Sequence, residues 1–516
     1  MLSYFSTEQL RPLIPAVVLL SGAILFNQYR NEKISILLLF SGTLFLGIFI
    51  ALLDPFLVLW DEQFHALVAK NMMQHPFKPM LYMNPVIDYN FRNWTLNHVW
   101  LHKQPLFLWQ MALSMKLFGI NILGLRFASA LLHAIIPIFI YRIGKITVSS
   151  NTGFYGALFF AVAYFPLELV AGRFSTDHND VAFIFYITGS FWAFVEYLRS
   201  ENKKYLVLIG IFSGAAVLVK WLTGLVVFAP WFIVILSDHA RRNNFRNYLA
   251  VAVSFLFAAL VFLPWQIYIL NTFPHESHYE FSQYTQHIYS SLEGHTGEWW
   301  YHFDAVRTIY GRGSLIPIIL ITASATYCLR VKEKAYRIFF ISAILIIYAW
   351  FSLASTKMIS YSAIVSPLVF LSIGSLADII LEKLKQLLKE MKNSYALLSN
   401  FLLVLISLLF LNTSRIENNH TMKKPLDNFN RELSLRQQNK IQKLAAEIPD
   451  SSYVIFNCDK FLNIPIMFFT GHIAYDFLPG EDQLLNLRNE GYKIAVMNAD
   501  SLPSYIRRSD ALILKY

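Results

Sequence analysis

The sequence predicts an α-helical polytopic membrane protein of about twelve transmembrane helices that ends in a small extracytoplasmic α/β domain. Three observations carry that prediction. Apolar runs of roughly 16 to 20 residues, each long enough at about 1.5 Å per residue to cross a bilayer, recur through the first 412 positions. Of the 516 residues 56% are hydrophobic and only 15% charged, too apolar a balance for a soluble enzyme of this length. Beyond position 412 the chain turns polar, and short apolar stretches alternate with charged ones.

The expected spans are 12–28, 34–53, 127–141, 152–170, 180–197, 205–219, 222–237, 249–268, 314–330, 337–353, 362–380 and 396–412. The first, preceded by Arg11, lacks a small-x-small cleavage pattern and is followed at once by a second span, so it reads as a helix rather than a leader. A formal charge of +10 invites a nucleic-acid reading, but the distribution argues against it. Lys and Arg gather in short interruptions such as Arg142 with Lys145, Arg241 with Arg242 and Arg246, and Lys332 with Lys334 and Arg337. All fall on one side if the runs alternate, which is the positive-inside pattern and reports topology. No nucleic-acid partner is expected.

The opposite, extracytoplasmic side then carries 54–126, 171–179, the turn at 220, 269–313, 354–361 and 413–516. Two of these are long loops, of roughly 70 and 45 residues, and long loops in compact proteins are commonly functional. Within the first, Gln63 to Met73 and Leu106 to Leu117 have helix-compatible apolar spacing and read as helices lying in the membrane interface. Residues 1–412 are thus expected to form a membrane domain that includes both loops. Residues 413–516 form a soluble domain.

In that tail, strands are expected at 453–457, 471–476, 493–498 and 511–515, alternating with helices at 431–448, 464–470, 482–490 and 502–508. Such alternation implies a layered structure with a largely parallel sheet. Only Cys328 and Cys458 are present, so no disulfide framework is implied.

Ionisable residues collect on the extracytoplasmic side, where a cavity for a polar or charged substrate would need them. Asp61 and Glu62 stand at the mouth of the second span. His102-Lys103-Gln104-Pro105 follows later in the same loop. Arg173 through Asp180 joins two spans, Lys357 and Tyr361 join two more, and Glu293 to His302 lie in the second long loop. Singly, each has a plainer reading. Asp61 and Glu62 fit headgroup water, Lys103 and Lys357 fit snorkelling, and Asp177 fits a helix cap.

Together these residues carry a resemblance. Asp61-Glu62 after an early span, Lys103-x-Pro-Leu-x-x-Trp with Phe118-Gly119 and Arg126, Arg173 with Thr176-Asp177, Gly214 to Lys220, and Lys357 with Tyr361 and Pro367 occur in that order. This order resembles the dolichyl-phosphate-mannose protein mannosyltransferases and their bacterial relatives, among them the aminoarabinose transferases of lipid A. These are glycosyltransferases of the GT-C fold, family 39 type, and the likeness runs from about 34 to 370.

The resemblance implies transfer of a sugar, with inversion, from a polyprenyl-phosphate carrier (undecaprenyl in bacteria) to a lipid, glycan or protein acceptor at the outer face of the plasma membrane. Asp61 would be the base, supported by Glu62, and Asp177 would orient hydroxyls. Lys103 would meet the donor phosphate, aided by Arg126, Arg173 and Lys357, with Tyr361 touching the donor. Glu293 and His295 would belong to a substrate loop. Gln104 stands where relatives often have a second Pro, and His102 where aminoarabinose transferases carry an acidic residue. A divalent metal between His102 and a histidine of 269–313 has no tight ligand spacing to support it, and chemistry without a cofactor is expected. A transporter of a polar or lipid-linked solute is the alternative. It would more commonly show internal repeats and a midplane site.

Overall fold

The computed structural model describes residues 5–174, 176–292, 294–311, 313–388, 392–421, 431–450, 452–497 and 502–514. By contact the chain divides into two compact units. The first comprises Met1–Leu53, Lys103–Phe107 and Arg126–Glu417, and the second Asp54–His102, Leu108–Leu125 and Asn418–Tyr516.

The first unit is a helical membrane bundle. Every expected span is helical, and eight helices among the described residues are each long and apolar enough to cross a membrane, or nine with a bent pair counted as one. Three runs explain the difference from twelve. Residues 222–237 break into a 3-10 turn, Trp221–Leu225, and a short helix, Phe228–Leu236. The helix Ile316–Arg330 has only 15 residues. Ser366–Leu387 is long enough but carries Asp378, Glu382 and Lys383. The bent pair is Ser150–Ala161 with Tyr164–Val170, at 51°.

Helices in lipid associate through close backbone approach, which small residues permit. The helix Lys204–Lys220 does so against Phe245–Thr272: a Cβ at Gly210 would lie 2.4 Å from the Ser254 carbonyl oxygen, and one at Gly214 would lie 2.5 Å from that of Ala258. The same contact fixes the end of the helix that carries Lys220. Several basic interruptions find carboxylates on neighbouring helices. Lys145 pairs with Glu32, Arg142 with Glu196, and Arg330 with Asp378 at 2.9 Å.

The second long loop is not structureless. It forms an amphipathic helix, Pro274–Tyr289, and a shorter one, Tyr301–Ile309. The end of the first helix and the chain after it pair with the 354–361 loop: Ser355 and Thr356 donate backbone N–H groups to the carbonyls of Ile288 (3.0 Å) and His287 (3.2 Å), and Lys357 to that of His295 (3.1 Å).

The second unit joins most of the first long loop to the C-terminal region. Four strands, β1 Tyr453–Phe456, β2 Ile473–Ala474, β3 Lys493–Met497 and β4 Leu512–Leu514, form a parallel sheet in the order β2-β1-β3-β4. The central strands are buried along nearly their whole length, as parallel strands covered on both faces must be. The helix Asp61–Met72 of the loop packs on Asn463–Thr470 and is buried nearly all round. Protein, not lipid, therefore covers the stretch expected to lie in the interface. Lys70 of this helix donates to the carbonyls of Met467 (2.9 Å) and Phe468 (2.6 Å), and burial pushes its pKa down to about 8.

Candidate functional site

Asp61 and Glu62 open a helix, at the positive end of its dipole, where carboxylates are favoured. Glu62 is buried, and its carboxylate accepts the Val58 N–H at 2.6 Å, closing the turn that precedes the helix. Asp61 is half-buried at the same helix mouth. Before it, Trp60 has φ +75°, a left-handed conformation unusual for a bulky side chain. Its ring packs against Phe461 at 4.6 Å and Trp94 at 6.4 Å between centroids. His102 lies flat on Trp94 at 4.8 Å and edge-on to Trp100 at 5.5 Å, a ring held by stacking. Among the described residues no group of three or more His, Cys, Asp or Glu is placed to hold a metal ion.

The remaining candidates belong to the first unit. Lys103 is half-buried and, among the described residues, forms no ion pair. Its neighbour Gln104 is buried and anchors the segment, accepting from Gln266 Nε2 at 2.8 Å and bonding the Tyr284 hydroxyl. Tyr284 and Phe281 stack on Trp221, at 5.7 and 4.9 Å. The residue before that tryptophan is Lys220.

Lys220 pairs with Asp180, and its ammonium lies 4.9 Å from the centre of the Tyr361 ring. Asp180 also accepts the Thr176 hydroxyl, which sits 3.1 Å from Ser360 Oγ. Tyr361 in turn stacks on Phe351 at 4.6 Å and faces His302 at 6.4 Å. Residues from four separate sequence regions thus form one connected polar cluster. Asp177, buried at the start of Asp177–Ser200, accepts the His178 N–H, and His178 Nδ1 lies 2.8 Å from Ser129 Oγ.

The other cations have visible occupations. Lys357 is buried with its three N–H donors spent on the carbonyls of Phe351, Ser352 and Ala354, at 3.0, 2.6 and 2.5 Å. It caps the end of the helix Lys334–Leu353, and burial lowers its pKa. Arg126 is wholly buried and donates to the Ala51 carbonyl at 2.7 Å, at the end of Glu32–Ala51. Arg173 approaches the buried Glu168 at 3.8 Å. His295 contributes its backbone carbonyl to Lys357, and Glu293 lies outside the described residues.

Thr176 and Trp221, like Trp60, have positive φ, at +69° and +56°. Left-handed non-glycine residues, costing about 1 to 3 kcal/mol each, therefore stand directly beside Asp61, Asp177 and Lys220. Such strain persists where surrounding structure enforces it, and it gathers at functional sites. The sequence placed Asp180 and His302 at the ends of its polar clusters and Lys220 in the ordered motifs, but gave none of them a site role and did not name Ser360. The available signal was a lysine at a helix end with hardly a loop after it, 40 residues from its carboxylate.

Residues 102–268 match the family model of dolichyl-phosphate-mannose-protein mannosyltransferases. That segment holds Lys103, Arg126, Arg173, Asp177, Asp180 and Lys220. An uncharacterized protein of Aquifex aeolicus (strain VF5) is 32% identical over 168 residues, which are 32% of this chain and 30% of that one, so the match spans under a third of that relative. ArnT from Cupriavidus metallidurans, in a crystal structure bound to undecaprenyl phosphate, superposes with a TM-score of 0.63 at 13% identity over 88% of each chain. The archaeal oligosaccharyltransferase AglB from Archaeoglobus fulgidus, in complex with an inhibitory peptide and a dolichol-phosphate, gives 0.56 at 12% identity over 86% of this chain and 64% of that one. The chain is a polytopic membrane protein of the GT-C fold, and its segment 102–268 is similar to the dolichyl-phosphate-mannose-protein mannosyltransferases.

Proposed function

We propose that the protein is a membrane glycosyltransferase that moves a sugar from a polyprenyl-phosphate carrier to an acceptor hydroxyl at the extracytoplasmic face. The observation that carries this reading is Lys103. It is a cation without an ion pair among the described residues, at the start of the family-matched segment, in a chain that shares its fold with a protein crystallised on undecaprenyl phosphate. A lysine suits a phosphate as a compact point charge, and near low-dielectric surroundings its attraction exceeds that in water.

In the inverting displacement, the acceptor oxygen attacks the anomeric carbon as its bond to the carrier phosphate breaks. Asp61 accepts the hydroxyl proton, and Lys103 stabilises the charge gathering on the departing phosphate. Glu62, bound to the Val58 N–H, holds the turn beside Asp61. The paired Lys220 and Asp180, with Thr176 and Tyr361, would position the donor; Asp177 would orient a hydroxyl. Lys357 and Arg126 hold helix ends of the membrane bundle. The basic interruptions of the membrane helices favour a cytoplasmic location for those loops, and so an outer location for the site.

The test is mass spectrometry of lipids and glycans from membranes containing the full chain or Asp61→Asn. Free polyprenyl phosphate and a new glycosylated product should appear with the former and be absent with the latter. Undiminished product from Asp61→Asn would remove the base assignment. Solute uptake into proteoliposomes without release of polyprenyl phosphate would favour a transporter.

A further inference from the structure

The C-terminal region meets the loop that carries Asp61 at a buried charged contact. Asp54, the first residue of the second unit, is wholly buried, as is His420, and Arg431 is nearly so. One Asp54 oxygen is paired with Arg431, and the other lies 2.8 Å from His420 Nδ1. The Arg431 guanidinium also lies 5.5 Å from the centre of the Phe56 ring. Both partners of this carboxylate come from beyond position 417, and the carboxylate itself comes from the root of the first loop.

Six residues separate Asp54 from Asp61, and they are gripped along their length. Phe56, Leu57 and Val58 are buried, and the Val58 N–H is taken by Glu62. Trp60 is held in its left-handed conformation with its ring on Phe461, which follows β1 and itself has φ +64°. The C-terminal region thus contacts this segment at both ends.

We infer that the C-terminal α/β region is a positioning element for the catalytic base: Arg431 and His420 clamp Asp54, Phe461 seats Trp60, and together they fix where the Asp61 carboxylate stands. This rests on the reading of Asp61 as the base. Displacing a reacting group by about 1 Å can cost on the order of 100-fold in rate. Removing one partner of a buried ion pair leaves the other uncompensated, so the clamp is sensitive to single changes.

The experiment uses the full-length protein in detergent and in membranes, with three readouts. These are binding of undecaprenyl phosphate, amide hydrogen exchange of 54–62, and sugar transfer per undecaprenyl-phosphate-binding site. Asp54→Asn and Arg431→Gln should bind undecaprenyl phosphate within about twofold of the parent, speed exchange at 58–62 roughly tenfold or more, and lower transfer roughly tenfold or more. Arg431→Lys, which keeps the charge, should recover much of the transfer. Phe461→Ala buries no charge and serves if the clamp variants do not fold; it should loosen Trp60 and slow transfer in the same way.

Parent-like exchange at 58–62 or parent-like transfer in Phe461→Ala and Arg431→Gln, with Asp61→Asn inactive, would overturn the inference and leave the base intact. Transfer retained by Asp61→Asn would instead overturn the base, and with it the positioning role.

Discussion

Lys103 and Lys357 are both lysines of the candidate site, yet the structure gives them opposite fates on deletion. Replacing Lys103 by Met removes a half-buried charge that has no ion pair among the described residues, so no internal carboxylate is stranded. Against a phosphate at about 4 Å, an effective dielectric near 20 gives about 4 kcal/mol of attraction, and partial exposure screens this to about 1.5 to 3 kcal/mol. Undecaprenyl phosphate should therefore bind about 10- to 100-fold more weakly, with little change in melting temperature. Lys357→Met instead strips three charge-assisted hydrogen bonds from buried helix-end carbonyls. Allowing for relaxation and water entry, about 2 to 4 kcal/mol of stability should be lost, with a smaller effect on binding. Binding by fluorescence quenching and thermal unfolding in the same detergent measure both quantities. Parent-like binding by Lys103→Met, or a binding defect without destabilisation in Lys357→Met, would refute the division.

Two further outcomes follow from the same cluster. Lys220→Met strands the buried Asp180 and should destabilise the protein by about 3 to 5 kcal/mol, whereas Lys220→Met with Asp180→Asn should recover most of it; equal melting temperatures for the single and double variants would contradict this. His302 is buried, and desolvation together with the nearby Lys357 cation lowers its pKa to about 4, below the unfolded value of about 6.5. Between those values the unfolded chain binds the proton and the folded one does not, so stability is lost as pH falls from about 6.5 to 4. At about 1.4 kcal/mol per pH unit this amounts to about 3 kcal/mol. His302→Phe should flatten the pH dependence of unfolding over that window, and an unchanged slope would show that other groups set it.

Local pattern was enough for much of this architecture. Lipid demands about 20 apolar residues per crossing and leaves the charges to the interruptions, so the membrane helices were legible one by one. In the tail, the turn residues and short apolar runs located all four strands to within two residues at either end. Lys103, Asp61 and Asp177 could be named because charges beside spans are costly and therefore conspicuous.

Composition and spacing by themselves thus determined a membrane bundle with a parallel α/β appendage and a set of ionisable candidates. Only the tertiary structure decided which of the candidate cations spend their donors on neighbouring groups of the chain. Lys357 turned back onto three carbonyls and Arg126 onto Ala51, while Lys220, at an ordinary helix end, met an aspartate 40 residues away. It also decided that most of the first loop packs with the C-terminal region, through Asp54, Trp60 and the helix Asp61–Met72. The physical reason is range. Helix and strand are written in neighbours, whereas an ion pair or a buried cap joins residues whose separation in the chain, 377 positions for Asp54 and Arg431, leaves no periodic trace.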